Sequence, residues 1–468
     1  MNKRFFCSVL ILSLLSSSLL TGCQRKGTTT TTQVPPVSLT FYGLFDNEDV
    51  ITPFIDTYQD AHPNVTILYK KFTDPEEYMN LIINELAEGE GPDLFMLNNS
   101  WFPEHYRKLT PAPETLVTTE QFRSSFVDIA AKDLIIPDDN GVEQIWGIPL
   151  YVDTLALYYN DSHFEDAIPS QGEPSATWEG IKNDVSLLNK QDQSFERFSR
   201  SGIALGRGDN ILRAFDVLMM MMLQYKTSFY TGDYTKVLFG NDPNALAALE
   251  LFTSFGLPSK KNYSWNKYLA DANSSEKELT TFAKGKVSMM FGYSYTYEDL
   301  ISEVSRLSEE GEETMDWGDI KIAPAPQVED PETTADSRIA YANYFVPVVG
   351  RTSTNSETAW DFLLSMTNPE LMKTYNATTH RPSALRSLIN EQTQDPIYGV
   401  FASQVGYATD LTMTNSETYE GIFLDGISDI LGTARSQDVL ASLADQIQAL
   451  IPTSGIKPTY VAPQTTEE

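Results

Sequence analysis

The chain has 468 residues, and 64 acidic side chains against 33 basic ones give it a formal net charge of −31 at neutral pH. Phosphate binding needs clustered Lys and Arg, so this balance argues against a nucleic-acid partner and reads as a solvated acidic surface. Two cysteines and four histidines (His62, His105, His163 and His380), no two of the latter at a short ligand spacing, predict neither a disulfide framework nor a structural zinc site.

At the N-terminus, Lys3 and Arg4 precede a short apolar, serine-rich stretch from Phe5 to Leu20. A spanning helix needs about 20 apolar residues, so residues 1–22 read as a signal peptide. Leu20-Thr21-Gly22-Cys23 looks like a bacterial lipobox, in which Cys23 is diacylated and becomes the mature N-terminus. The alternative is a plain secretory signal with a chance Cys. Cys7 lies inside the signal, so the mature chain has no free thiol for metal or redox chemistry. Each buried acyl methylene contributes about 0.8 kcal/mol, and two chains anchor a protein stably. Residues 23–37, rich in Thr and Pro, form a flexible tether. No other segment looks transmembrane, and the expected location is the extracytoplasmic face of the bacterial cell membrane. The length that remains exceeds one hydrophobic core, which predicts two domains.

Strand and helix signals then alternate. Ser38 to Gly43 predicts a strand, and Val50, Ile51, Phe54, Ile55 and Tyr58 recur on one helical face. Val65 to Phe72 is strand-like. Asp74-Pro75-Glu76-Glu77 is a helix start, with Asp as N-cap, Pro at the first position and acids in the first turn. That helix ends at Gly89 or Gly91, and Leu94 to Leu97 is a short buried strand. Short joints between such elements predict an α/β layer with mainly parallel pairing. Further on, Ile145 to Pro149 and Thr154 to Tyr159 read as strands, Thr177 caps a helix, and Asp209 to Tyr225 reads as one long helix. Its Met219 to Met222 run covers all sides and has no Cys or His nearby, which points to core packing rather than a soft-metal site. Lys286 to Phe291 and Ile339 to Val349 predict strands, and helices dominate from Ser356 to Leu450.

Enzyme motifs are missing: no G-x-S-x-G, H-E-x-x-H, phosphate-binding glycine loop or C-x-x-C occurs. Arg207-Gly208-Asp209 precedes a helix and reads as its entry loop. Polar–aromatic clusters do recur where strands end: Gly43 to Asn47, Asn98 to Trp101, Tyr151 to Asp153, Gly292 to Tyr295 and Tyr341 to Tyr344. In open α/β sheets ligands bind beyond the carboxyl ends of strands. Flat rings beside amides and carboxylates suit a sugar, whose C–H faces stack while its hydroxyls meet Asp or Asn.

The sequence resembles the bacterial extracellular solute-binding proteins of family 1, the sugar-binding type that serves ABC importers. The resemblance is carried by LTFYGLFDNEDVITPFIDTYQDAHPNV from 39, GEGPDLFMLNNSW from 89, IWGIPLYVDTLALYYN from 145, TFAKGKVSMMFGY from 281, IKIAPAPQ from 320 and THRPSALRSL from 379. It implies a two-lobed, periplasmic-binding-protein-like α/β fold with a ligand cleft between the lobes. Crossings would fall near Pro149 to Val152, Phe282 to Val287 and Asn343 to Phe345. Lobe one would hold 38–149 with 288–343, lobe two 150–287 with 344–450, and 451–468 would be a C-terminal tail.

The implied function is capture without catalysis: a monomer closes on a solute, a sugar or oligosaccharide, and delivers it to an ABC transporter permease, with no cofactor and no metal. An oligopeptide or other polar solute in the same cleft, or a surface hydrolase using a carboxylate pair, are the competing readings. Carried over by position, the ligand contacts are Asp46, Asn47, Asn98, Trp101, Asp153, Tyr293, Tyr295, Asn343, Tyr344 and Arg381, with Asn210 as a further candidate. Six of these have a structural alternative. Asp46 and Asn47 would cap a helix, Trp101 would sit in the core, Tyr295 and Tyr344 would fill the hinge, and Arg381 would pair with a surface acid. Asn99 and Ser100 would shape the turn.

Overall fold

The computed structural model describes residues 35–138, 140–191, 198–274, 277–334 and 337–456. The signal peptide, Cys23, all but the last three residues of the tether, and the tail from 457 onward lie outside the described residues.

The first strand, β1 (Val37–Leu44), pairs in parallel with β2 (Val65–Phe72) along its whole length and with β3 (Leu94–Asn98) at Phe41 and Tyr42. Two crossover helices make this parallel pairing possible: α1 (Glu48–Ala61) and α2 (Pro75–Glu88). On α1, Ile51, Phe54, Ile55 and Tyr58 are buried, as the helical spacing predicts, while Val50 lies at the edge of that face. On α2, the Asp74 side chain accepts from the Glu77 N–H, Pro75 occupies the first turn, and Gly89 closes the helix at φ 82°. A fourth strand, Phe345–Val349, joins the other edge antiparallel to β3 from more than 240 residues further along.

Two hydrophobic cores result. The first draws on residues 39–152 and 342–405, the second on 155–341 and 397–447. At the heart of the second, Ala156–Asn160 is flanked antiparallel by Met289–Gly292 and Ile320–Ala323. Met219 to Met222 are fully buried on the helix Ala214–Gln224, so core packing is their role. That helix is shorter than the sequence predicts because Asp209 to Arg213 form a turn before it.

The chain passes between the cores at Val152–Leu155 and returns at Tyr341–Ala342. It leaves the first core again after Ile389, and the second takes up Ile397, Tyr398 and Phe401. These connectors touch: Ala340–Asn343 pairs antiparallel with Asp153–Thr154 and parallel with Ala408–Thr409. The expected crossing at Phe282 to Val287 does not occur, since both ends lie in the second core. Residues 288–341 belong there too, and Tyr344 to Leu385 return to the first core. The physical reason is pairing. Met289–Gly292 finds its hydrogen-bond partner in Ala156–Asn160, and a strand's own residues do not name that partner.

Candidate functional site

β1 ends against a strained turn. Phe45 has φ 71°, a left-handed conformation that a bulky residue rarely adopts, and its N–H donates to the Phe72 carbonyl at 2.8 Å. The Tyr69 hydroxyl passes over Gly43, so close that a Cβ there would overlap it, and donates to the Asp46 carbonyl at 2.9 Å. The Asp46 carboxylate is buried. It accepts from the Tyr375 hydroxyl at 2.7 Å and from Arg381 Nη1 at 2.7 Å, and the same Nη1 lies 2.9 Å from the Tyr375 oxygen. The Arg381 guanidinium also sits 4.4 Å over the Tyr151 ring, whose hydroxyl accepts from the Phe345 N–H at 3.2 Å. Burial pushes the Tyr151 phenol up to about 12. Asn47 is exposed, caps nothing with its side chain, and accepts from Lys71 Nζ. Neither Asp46 nor Asn47 therefore serves as the side-chain helix cap, and Arg381 pairs with a buried acid rather than a surface one.

At the end of β3, Asn98 Oδ1 accepts from the Ser100 N–H at 3.0 Å and the Ser100 hydroxyl at 2.8 Å, which ends the strand in a tight turn. Its Nδ2 donates to Asn343 Oδ1 at 2.8 Å. Asn99 is buried; its N–H donates to the Tyr344 carbonyl, its Oδ1 accepts from the Tyr344 N–H, and its Nδ2 donates to Asp410 Oδ2 at 2.8 Å, tying two connectors to the first core. Trp101 is half-buried and meets Phe345 edge-to-face at 5.7 Å. Phe345 meets exposed Phe45 in the same way at 5.6 Å.

On the other side of the connectors, Asp153 is buried and accepts from the Thr154 N–H, the Ser294 N–H and, at 2.7 Å, the Ser294 hydroxyl. Burial pushes its carboxyl up to about 6, with the Ser294 hydrogen bonds opposing that rise. This bond fixes the Gly292–Tyr295 turn. Tyr293 is buried and donates to Asp216 Oδ2 at 2.9 Å, while half-buried Tyr295 stacks on it at 6.0 Å. Arg213 donates to the Tyr295 hydroxyl and holds its guanidinium 5.5 and 5.8 Å from the two rings. Glu420 lies nearby and is pushed up to about 7 by burial and by the Asp216 charge.

The fold thus brings together Asp46 with Arg381, Asn98 with Asn343, and Asp153 with the turn that carries Tyr293 and Tyr295. Three of the expected residues are buried with their polar atoms spent inside the protein: Tyr293, whose hydroxyl goes to Asp216, Asn210 and Tyr344. Asn210 is fully buried with its amide spent: Nδ2 donates to the Asn266 and Ala270 carbonyls, and Oδ1 accepts from Trp265 Nε1. Tyr344 is fully buried and donates to Asp133 Oδ2 at 2.7 Å, so it fills the interior beside the connectors. Sequence reasoning missed Phe45, Phe345, Arg213 and Tyr375. Arg213 had a signal, a cation three residues before Asp216 at a helix start; the backbone of Phe45 had none. Among the described residues no group of three His, Cys, Asp or Glu side chains is placed to hold a metal ion, and no helix is long and apolar enough to cross a membrane.

Two α/β lobes with separate cores, joined by adjacent connectors and carrying polar groups beside them, define a periplasmic-binding-protein-like fold with a ligand cleft between the lobes. The chain belongs to the bacterial extracellular solute-binding protein family, whose profile matches residues 54–398, and an extracytoplasmic location follows from that membership. Solved structures share the fold at low identity. The sugar-binding protein MalE from the phytopathogen Xanthomonas citri aligns over 88% of this chain and 97% of its own at 14% identity, with a TM-score of 0.70. The GacH receptor of Streptomyces glaucescens, solved unliganded and with acarbose, aligns over 89% and 98% at 15% identity and a TM-score of 0.67. A solute-binding protein from Thermotoga lettingae bound to α-D-tagatose aligns over 88% and 99% at 18% identity and a TM-score of 0.65. Comparison with curated protein sequences finds no matching relative.

Proposed function

We propose that this protein is a lipid-anchored receptor that captures a sugar or oligosaccharide between its lobes and delivers it to an ABC transporter permease. The observation that carries the reading is the placement of polar and aromatic groups from both cores beside the three connectors. Asp46, Arg381, Asn98, Asn343 and Trp101 stand on one side, and Asp153, Tyr295 and Arg213 on the other. A ligand touching both sides favours the closed arrangement by its greater affinity for that state. Support comes also from proteins of the same fold solved with α-D-tagatose, with acarbose and, for a substrate-binding protein of Listeria monocytogenes, with cycloalternan. Capture needs no bond-making group, so the protein acts as a monomeric binder rather than an enzyme. Anchoring rests on Cys23 in its lipobox-like setting.

A thermal-shift screen against sugars and oligopeptides tests the reading. A true ligand adds RT ln(1 + [L]/Kd) to the unfolding free energy and so raises the transition temperature; sugars should shift it and peptides should not. A shift from peptides alone would replace the sugar with a peptide, and consumption of the sugar on long incubation would make the protein a hydrolase. Cys23→Ser should release the protein from the membrane fraction; retention there would remove the lipid anchor.

A further inference from the structure

Phe45 combines two features that stability alone disfavours. Its backbone is left-handed at φ 71°, and its ring is 42% exposed, while Leu44 and Asp46 on either side are buried. Surrounding bonds over-determine this turn. The Phe45 N–H is taken by Phe72, the Asp46 carbonyl by Tyr69, and the Asp46 carboxylate by Tyr375 and Arg381. Strain that the neighbourhood enforces on an exposed aromatic residue is characteristic of ligand-facing positions.

The ring does not stand alone. Phe45 and Phe345 cross at 73° with centroids 5.6 Å apart, and Phe345 and Trp101 cross at 81° and 5.7 Å. Each ring is therefore nearly perpendicular to the next, giving a continuous apolar wall three rings long on the first lobe. Polar groups run along its base. Asn98 lies opposite Phe345 in the strand ladder and bonds Asn343, and Tyr151 links the Phe345 N–H to the face of Arg381.

Building on the sugar-capture reading, we propose that Phe45 is a specificity-determining residue that selects oligosaccharides of two or more rings over monosaccharides. The C–H face of a pyranose stacks on one aromatic ring at a time, so a single sugar covers part of this wall and leaves the rest wet. A second and third sugar in the chain reach the outer ring, and the strained turn is what holds that ring out to meet them. Asn343, partly exposed and held by the Asn98 amide, then reads a hydroxyl along the edge of the wall.

The test is calorimetric titration of the full chain with D-glucose, D-tagatose, maltose, maltotetraose and mannotriose, for the wild type, Phe45→Gly and Phe45→Trp. Glycine suits the positive φ, so the Gly variant keeps its fold and should melt no lower than the wild type. The wild type should bind an oligosaccharide at least about tenfold more tightly than either monosaccharide. Phe45→Gly should erase about tenfold of that oligosaccharide affinity, leave monosaccharide binding within about twofold, and Phe45→Trp should restore the preference. Equal loss for both sugar classes, no loss for either, or tighter binding of a monosaccharide overturns the selectivity while leaving sugar capture in place. If the wild type binds none of the five sugars, sugar capture itself falls and the selectivity with it.

Discussion

Arg381 Nη1 and Asp46 Oδ1 meet at 2.7 Å across 335 residues of sequence, and both side chains are largely shielded from solvent. The pair closes the first lobe around the strained turn after β1. It also means that Asp46, expected to receive a ligand hydroxyl, already has two protein partners in the Tyr375 hydroxyl and the guanidinium. These two bonds hold the turn after β1 in place.

Removing one member of a buried pair leaves the other charge uncompensated, which typically costs about 3–5 kcal/mol. Arg381→Met should therefore lower the stability measured by urea denaturation by about that amount. The double variant Arg381→Met with Asp46→Asn should recover part of the loss. If the single and double variants are equally destabilised, the two side chains do not act as a pair.

Asp153 sets a pH dependence. Its folded carboxyl titrates near 6 because burial disfavours the charge, against 3.8 for the free side chain. The folded state therefore binds more protons than the unfolded state between these values, so this group's contribution favours folding at low pH and is lost as pH rises from about 4 to about 6. The loss amounts to about 3 kcal/mol. Glu278 and Glu420, both pushed up by burial to about 7, continue the trend to higher pH. In Asp153→Asn the stability profile should flatten between pH 4 and 6 relative to the wild type. Identical profiles would show that Asp153 is not the group titrating there.

Trp101 packs edge-to-face on Phe345 and is half-buried, a position from which part of its ring is free to meet a ligand. Trp101→Ala should weaken sugar binding by about 1–3 kcal/mol while the protein stays folded, as read by calorimetry and circular dichroism. Unchanged affinity together with lowered stability would make Trp101 a core residue.

Asn210 gives the contrasting case. Truncation to Ala strips partners from Trp265 Nε1 and from two buried carbonyls, and each unsatisfied group costs about 1–3 kcal/mol. Asn210→Ala should thus be strongly destabilised in urea, with an unaltered dissociation constant for whichever sugar the wild type binds. A selective loss of affinity at full stability would return Asn210 to the site.

Local chemistry was legible in the chain. Asp74-Pro75 capped α2, the spacing of Ile51, Phe54, Ile55 and Tyr58 placed α1 on the core, and Met219 to Met222 read as interior. These features depend on a few neighbouring residues and on the 3.6- and 2-residue periods, which the sequence carries in full. The polar clusters at strand ends, with Asp46, Asn98 and Asp153 among them, are equally visible in the chain.

Which of those groups remain available to a ligand was a different matter. Asn98 gives its amide to Asn343, Asp153 holds Ser294, and Tyr344 reaches Asp133, across 245, 141 and 211 residues respectively. A buried polar group must be satisfied somewhere, but nothing in its own segment says by whom. The same is true of strand pairing, which moved residues 288–341 into the second lobe through Ala156–Asn160. The sequence by itself determined most of the elements, the polar strand ends and the kinship, though not where every element begins, as at Ala214. Only the tertiary structure decided the partners, and with them the exposed ring of Phe45, because hydrogen bonding and backbone strain are settled by residues far apart in the chain.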